Sequence, residues 1–285
     1  MTAKTTGRIA FQGELGAFSH QACTEVYPEM DPLPCASFEM ALEAVRSREA
    51  DLAMMPIENS TYGRVADLHH LLPTSGLFII GEHFVPVALQ LLGLPGAVLS
   101  DVTHAFSHTV ALGQCKAFLQ GRGIQSVIHA DTAGSAAMIA ENGDKAHAAI
   151  ASRLAGEIHG LEVLAPDIQE FSHNTTRFLV MSRQRIEAEP SDGDAMTSFV
   201  FEVLNVPAAL FKAMSGFATC GVNMVKLESY MLNGSFQATQ FYSEIEGHPE
   251  DPNVKQAFKE LGYFTKENKV LGVFPRAESR KKAEN

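Results

Sequence analysis

Hydrophobic positions along the first part of the chain form short apolar runs that alternate with stretches of helical spacing. Arg8-Ile9-Ala10-Phe11 reads as a strand, turned by Gly13-Glu14-Leu15-Gly16 into a helix over about 17–27 that Pro28 stops. Ser37 caps a helix with Phe38, Leu42 and Val45 on one face. Leu52-Ala53-Met54-Met55 reads as a buried strand, and residues 77–87 as one or two strands. Strands at 103–106, 126–129 and 148–151 each precede a helix, over about 109–119, 132–140 and 152–158. Phe178-Leu179-Val180-Met181 closes the series. This alternation predicts an α/β architecture with largely parallel strands.

A polar stretch, 183–195, reads as a linker, and the pattern changes after it. Residues 197–204 form a strand with Phe199, Phe201 and Val203 on one face, and Pro207 suits the first turn of a helix ending near Gly221. Strands over 222–231 and 235–245 are joined by Asn233-Gly234, a hairpin signal. Asp251-Pro252 opens a helix to about Gly262, and 270–274 is the last strand. The order βαββαβ predicts a ferredoxin-like α+β unit. The expected organisation is a catalytic domain over 7–182, a linker over 183–195, a second domain over 196–275 and a flexible tail over 276–285.

The chain has 285 residues, 46% of them hydrophobic, which suffices for the cores of about two domains. A net charge of -11 and a pI near 5.4 would repel nucleic acid in the absence of a basic stripe. The basic cluster Arg280-Lys281-Lys282 reads as a solvated terminus. Cys23, Cys35, Cys115 and Cys220 show no C-x-x-C spacing and read as free thiols in a reducing compartment. Residues 1–13 lack an apolar signal core, and the apolar stretch 85–99 is broken by Gln90, Gly93, Pro95 and Gly96. A cytoplasmic protein without membrane or nucleic-acid partners is therefore expected.

Polar residues cluster where strands of the first domain give way to helices: Pro56 to Gly63, Ser107-His108-Thr109 with Gln114, Asp131-Thr132-Ala133, Ala151-Ser152-Arg153 and Asn174 to Phe178. Ligands of parallel α/β sheets bind beyond strand ends at helix N-termini, where hydroxyls, amides and free N–H groups suit a small anion. Each segment alone would ordinarily just cap a helix. No phosphate loop, dinucleotide fingerprint or metal-ligand spacing is present, so neither a cofactor nor a metal is expected.

In order and over nearly the whole chain, these segments resemble those of prephenate dehydratases. The match runs through Gly13-Glu14-Leu15-Gly16-Ala17-Phe18-Ser19, Pro56-Ile57-Glu58-Asn59-Ser60 with Gly63, Ser107-His108 with Gln114, Asp131-Thr132-Ala133, Ala149-Ile150-Ala151-Ser152 with Gly160-Leu161, and Thr176-Arg177-Phe178. Thr109 and Val110 stand where the family usually has proline and glutamine. The resemblance implies a two-lobed catalytic domain, like that of periplasmic binding proteins, with the site in the cleft. It also implies the decarboxylating dehydration of prephenate to phenylpyruvate in phenylalanine biosynthesis.

The family's catalytic threonine falls on Thr176, read as a hydrogen-bond donor to the leaving hydroxyl because a threonine hydroxyl is a poor acid. Substrate contacts are expected from Asn59, Ser60, Ser107, His108 and Gln114, and from Thr132, Ser152, Arg177 and Phe178. Arg177 could clamp a carboxylate through its planar fork or form a structural ion pair. Glu58 reads as structural in preference to a proton donor, and Asp131 as a helix cap in preference to a base. His108 could donate a proton or orient its loop.

The ferredoxin-like unit resembles an ACT domain, a module that binds amino acids, often between subunits. Pro207-Ala208-Ala209-Leu210 aligns with a Pro-Gly-Ala-Leu motif and Leu227-Glu228-Ser229-Tyr230 with one that usually continues Arg-Pro. Effector contacts are expected at Ala208, Ala209 and Leu210, and at Asn223, Glu228 and Ser229. The expected partners are prephenate, phenylalanine as an allosteric inhibitor, and further copies of the chain in a homodimer or homotetramer. Two alternatives remain open: an arogenate dehydratase, and a two-lobed binding protein with an amino-acid sensor but no catalysis.

Overall fold

The computed structural model describes residues 7–171, 173–190, 194–231 and 238–283. It divides into two compact units: residues 1–65 with 84–178, and residues 66–83 with 179–285.

The first unit is α/β and two-lobed. In one lobe the strand Arg8–Gln12 lies between Asp31–Cys35 and Leu52–Asn59, parallel to both, with Thr175–Ser182 beside Leu52–Asn59. The strand Asp31–Cys35 was not legible in the pattern. It carries Pro32 and Pro34 and lies at the sheet edge, where a missing N–H breaks no ladder. In the other lobe, His147–Ala151 and Gln125–Ile128 flank His104–Ser107 in parallel. Two antiparallel strands, Gln90–Gly93 and Glu162–Ala165, extend that sheet and make it mixed, where a largely parallel one was expected. The helix expected over 109–119 breaks at Cys115 into Thr109–Gln114 and Lys116–Gln120.

The second unit contains a βαββαβ unit: Ala195–Val203, Ala209–Thr219, Met224–Met231, Ala238–Glu246, Pro252–Gly262 and Thr265–Pro275. Its strands lie in the order Met224–Met231, Ala238–Glu246, Ala195–Val203, Thr265–Pro275, all antiparallel. Phe199, Phe201, Phe217 and Phe241 fill the core between sheet and helices. The turn expected at Asn233-Gly234 and part of the linker, 191–193, lie outside the described residues.

Residues 66–83, read as part of the first domain, pack in this second unit. Ile79 pairs with Gly272 so closely that a Cβ on Gly272 would lie 2.0 Å from the Ile79 carbonyl oxygen, so only glycine fits. Lys269 Nζ donates to the Pro73 carbonyl at 2.8 Å, and the Tyr230 hydroxyl shares a 2.5 Å hydrogen bond with His69 Nδ1. The tail also differs from its expectation. Residues Glu278–Ala283 form a helix, and Arg280 is no solvated terminus. Its Nε and Nη2 donate to Glu82 at 2.8 and 3.1 Å, and Nη2 reaches Glu244 at 3.4 Å.

The four cysteines are free, and burial pushes the Cys23 and Cys115 thiols up to about 12, so neither supplies a thiolate near neutral pH. No helix among the described residues is long and apolar enough to cross a membrane.

Candidate active site

The strand Leu52–Asn59 delivers Asn59 to the start of Thr175–Ser182. Ser60 staples the two: its N–H donates to the Thr175 carbonyl, and its hydroxyl accepts from Thr175 N–H, both at 2.9 Å. Asn59 is held in one orientation because its Oδ1 accepts from the N–H groups of Thr61 and Tyr62 at 2.9 and 3.0 Å. Its Nδ2 therefore faces the neighbouring strand, donating to Asn174 Oδ1 at 2.7 Å and to Thr176 Oγ1 at 3.0 Å. Thr176 accepts this bond, which leaves its own proton to be donated elsewhere.

Thr176 lies on the wall of a cavity of about 400 Å³. Asn59, Thr176 and Phe178 line it from one lobe, and His108, Gln114 and Thr132 from the other. Three helices begin at this cavity, one of them Thr109–Gln114 behind its cap His108. The helix Phe18–Val26 brings Ala17, Phe18 and Ser19, and Thr132–Asn142 brings its first residue and its cap Asp131, which accepts the Gly134 N–H at 2.6 Å. Their N-termini direct partial positive charge at it. Among the described residues no lysine or arginine lines the cavity, whereas Glu14 and Asp131 do. An anion here must be held by neutral donors and helix ends.

Four of the expected substrate-binding residues do not line the cavity, each for a visible reason. Side chains alternate along a strand, so Thr176 and Phe178 share a face and Arg177 takes the opposite one. Arg177 is 2% exposed and its Nη1 donates to Glu58 Oε1 at 2.9 Å. Of the two roles open to Arg177, the structure shows the ion pair, with Glu58 as its partner. The Ser60 hydroxyl donates to the His173 carbonyl at 2.8 Å. Ser107 is buried and donates to the Ile150 carbonyl at 2.6 Å. Ser152 caps the helix Arg153–His159, accepting from Ala155 N–H at 3.0 Å, and donates to the Gly16 carbonyl. Gly16 sits so close to Ala155 that a Cβ would lie 2.7 Å from its Cα, and its φ of +95° already favours glycine. Ser152 thus ties the opening loop to the second lobe.

His108 caps the helix Thr109–Gln114, its Nδ1 accepting the Val110 N–H at 3.3 Å, which puts the proton of the neutral ring on Nε2. It both orients its loop and lines the cavity. Sequence reasoning gave no separate role to Asn174, Glu14 or Tyr62, which also line it. Asn174 was findable, since it lies two residues before Thr176 on the same face of the chain. No group of three or more His, Cys, Asp or Glu among the described residues could hold a metal ion.

His20 shapes the opening loop from below. It is buried, lies parallel to the Phe11 ring at 5.5 Å, and its Nδ1 accepts the Gly16 N–H at 3.0 Å. Burial lowers its pKa from 6.5, and a proton on Nδ1 would confront the Gly16 donor. The folded state therefore binds this proton less readily than the unfolded one. Stability is full above pH 6.5 and is lost as pH falls from there toward the lowered folded value. Thermal unfolding of the protein and of His20→Gln, compared from pH 8 to pH 5, should show a smaller acid-side loss in the variant.

The expected effector residues are dispersed. Ala208 is exposed and stands before the helix Ala209–Thr219 at φ +59°, a left-handed conformation that favours glycine. Ala209 and Leu210 pack into the core of their unit. Asn223 lies beyond the far end of that helix, about 16 Å along it at 1.5 Å per residue, and its Nδ2 donates to Glu246 Oε2 at 2.9 Å. Glu228 pairs with Lys226 at 3.3 Å, and Ser229 is exposed. Left-handed alanine costs about 1–2 kcal/mol and glycine's extra unfolded freedom about 0.4–1 kcal/mol, so Ala208→Gly should stabilise by about 0.5–1 kcal/mol in urea unfolding.

Comparison with known proteins places the chain in a family. Residues 9–186 match the family model described as prephenate dehydratase. A bifunctional N-acyl-homoserine lactone acylase/prephenate dehydratase of Komagataeibacter europaeus is 47% identical over 96% of this chain and 98% of its own length. The chloroplastic arogenate dehydratase/prephenate dehydratase 1 of Arabidopsis thaliana is 35% identical over 94% of this chain and 72% of its own. Among solved structures, a prephenate dehydratase from Arthrobacter aurescens in complex with L-Phe superposes with a TM-score of 0.85 at 31% identity, covering 95% of this chain and 90% of that one. The chain belongs to the prephenate dehydratase family.

Proposed function

We propose that this protein converts prephenate to phenylpyruvate, carbon dioxide and water at the cavity beside Thr176. The observation that carries the reading is the Asn59–Thr176 pair. Asn59 donates to Thr176 Oγ1 at 3.0 Å, so the threonine proton is available to the oxygen of the substrate's ring hydroxyl. As the carboxylate on the ring carbon departs as carbon dioxide, its bonding electrons enter the ring, the ring C–O bond breaks and the ring becomes aromatic. The departing hydroxide takes up one proton to become water. Aromatisation drives the reaction, and the protein's task is to hold a dianion and polarise one oxygen. A cavity of about 400 Å³ suits a molecule of that size. The test is phenylpyruvate formation from prephenate by the purified chain, with arogenate in parallel. A higher kcat/KM for arogenate would make arogenate the proper substrate.

The domain assignment belongs to the same proposal: a catalytic domain over 7–182, with the segment 66–83 folding elsewhere in the chain, a linker over 183–195 and an ACT domain over 196–275. Feedback inhibition by phenylalanine is supported by the L-Phe complex of the Arthrobacter relative. With Asn223 and Ala208 at opposite ends of one helix, a shared effector site would draw on two copies of the chain in a homodimer or homotetramer. Phenylalanine added to the assay is expected to lower activity.

A second reading is favoured by the Komagataeibacter relative, whose name includes N-acyl-homoserine lactone acylase. The cavity wall includes Phe18, Val87, Leu89 and Phe178, on which an acyl chain could lie. Incubation with an N-acyl-homoserine lactone, scored by release of homoserine lactone, decides whether this chain has that activity.

A further inference from the structure

The carboxamide of Asn174 is the least explained polar group at the cavity. It is 3% exposed and shares the wall with Thr176. Because Asn59 is locked by two backbone N–H groups on its oxygen, it presents nitrogen to Asn174, and Asn174 must answer with Oδ1 at 2.7 Å. This fixes which end of the Asn174 amide is which. Its Nδ2 is buried and meets no acceptor among the described residues. Buried amide donors in folded proteins are nearly always paired, and the exceptions call for a function.

We infer that Asn174 is a substrate-binding residue whose Nδ2 donates to a carboxylate oxygen of the bound dianion while Thr176 serves the ring hydroxyl. The inference rests on the dehydratase reading above. The charge of the cavity supports it independently. Glu14 and Asp131 line the wall without a lysine or arginine among the described lining residues, so a dianion depends on neutral donors. An amide whose oxygen is already committed is such a donor, set before substrate arrives. The backbone adds rigidity, since the Asn174 carbonyl accepts the Val87 N–H at 2.8 Å.

The test is Asn174→Asp, which keeps an oxygen for Asn59 and replaces only the free nitrogen. Above neutral pH the variant presents a second carboxylate oxygen to the substrate, and kcat/KM for prephenate is expected to fall by about 10²-fold. Toward pH 5 the new carboxyl takes up a proton and regains a donor, and about a tenth of native kcat/KM should return relative to the native enzyme at the same pH. The loss is expected mainly as a raised KM, whereas a disturbance passed on to Thr176 would lower kcat. If the native enzyme forms phenylpyruvate and the variant matches it within about threefold at every pH, the Asn174 assignment is wrong and the dehydratase reading stands. If the native enzyme forms none, both fall. Should the variant not fold, the side-chain amide resonance of Asn174 in the native protein decides. It should move on saturation with phenylpyruvate, and an unmoved resonance overturns the assignment.

Discussion

Thr176→Val is expected to lower kcat by about 10²–10³-fold with little change in KM. Valine keeps the branched shape on the strand and removes only the hydroxyl. The ground-state substrate is held by other groups, so binding should survive. The transition state, in which charge gathers on the departing oxygen, loses the one donor aimed at it. Asn59→Asp should mimic part of this loss. Either of its carboxylate oxygens can still accept from Thr61 and Tyr62, but the other would draw the Thr176 proton toward itself and away from the cavity. Comparing kcat and KM separately distinguishes this account from a general loosening of the site, which would raise KM as well.

Arg280→Met is expected to destabilise the protein by about 3–5 kcal/mol, read as a drop in the urea unfolding midpoint. Glu82 and Glu244 have fully buried side chains, and Arg280 bonds both from the C-terminal helix. Methionine preserves the bulk of the side chain and removes the charge, taking from two interior carboxylates the guanidinium that they share, while Glu82 keeps the Ala277 N–H. Tyr242 and Ser198 still donate toward Glu244, which softens the loss without replacing a full positive charge. The companion Glu82→Gln should cost less, because it removes one of the two negative charges that share the arginine. A change of under about 1 kcal/mol in Arg280→Met would show that the tail contributes little to the fold.

Much of this architecture was legible because periodicity and turn residues report local structure directly. The helix Pro252–Gly262 follows from Asp251-Pro252, and the βαββαβ order follows from alternating phenylalanines and a helical stretch after Pro207, although that helix starts only at Ala209 and leaves Pro207 outside its first turn. What escaped was set by tertiary context. The edge strand at Asp31–Cys35 contains prolines that argue against a strand until its place at the sheet edge is known. Segment 66–83 carries no sign of its own that Gly272 and Tyr230 are its neighbours. In the site, the order of motifs located the cavity but not which side chains face it. Strand alternation parts Arg177 from Thr176 and Phe178 and sends it to Glu58, the ion-pair alternative that the sequence left open. Hydroxyls at Ser60, Ser107 and Ser152 were indistinguishable in sequence from ligand-binding ones. The structure shows each donating to a backbone carbonyl.

The most direct test of the central claim is a crystal structure of Thr176→Val soaked with prephenate, in which slowed turnover should leave the substrate intact. Prephenate is expected in the cavity between Phe178 and Gln114, its ring hydroxyl against residue 176 and its carboxylates toward the starts of the helices at Phe18 and Thr132. Prephenate bound elsewhere, or bound here with the ring hydroxyl turned away from residue 176, would contradict it.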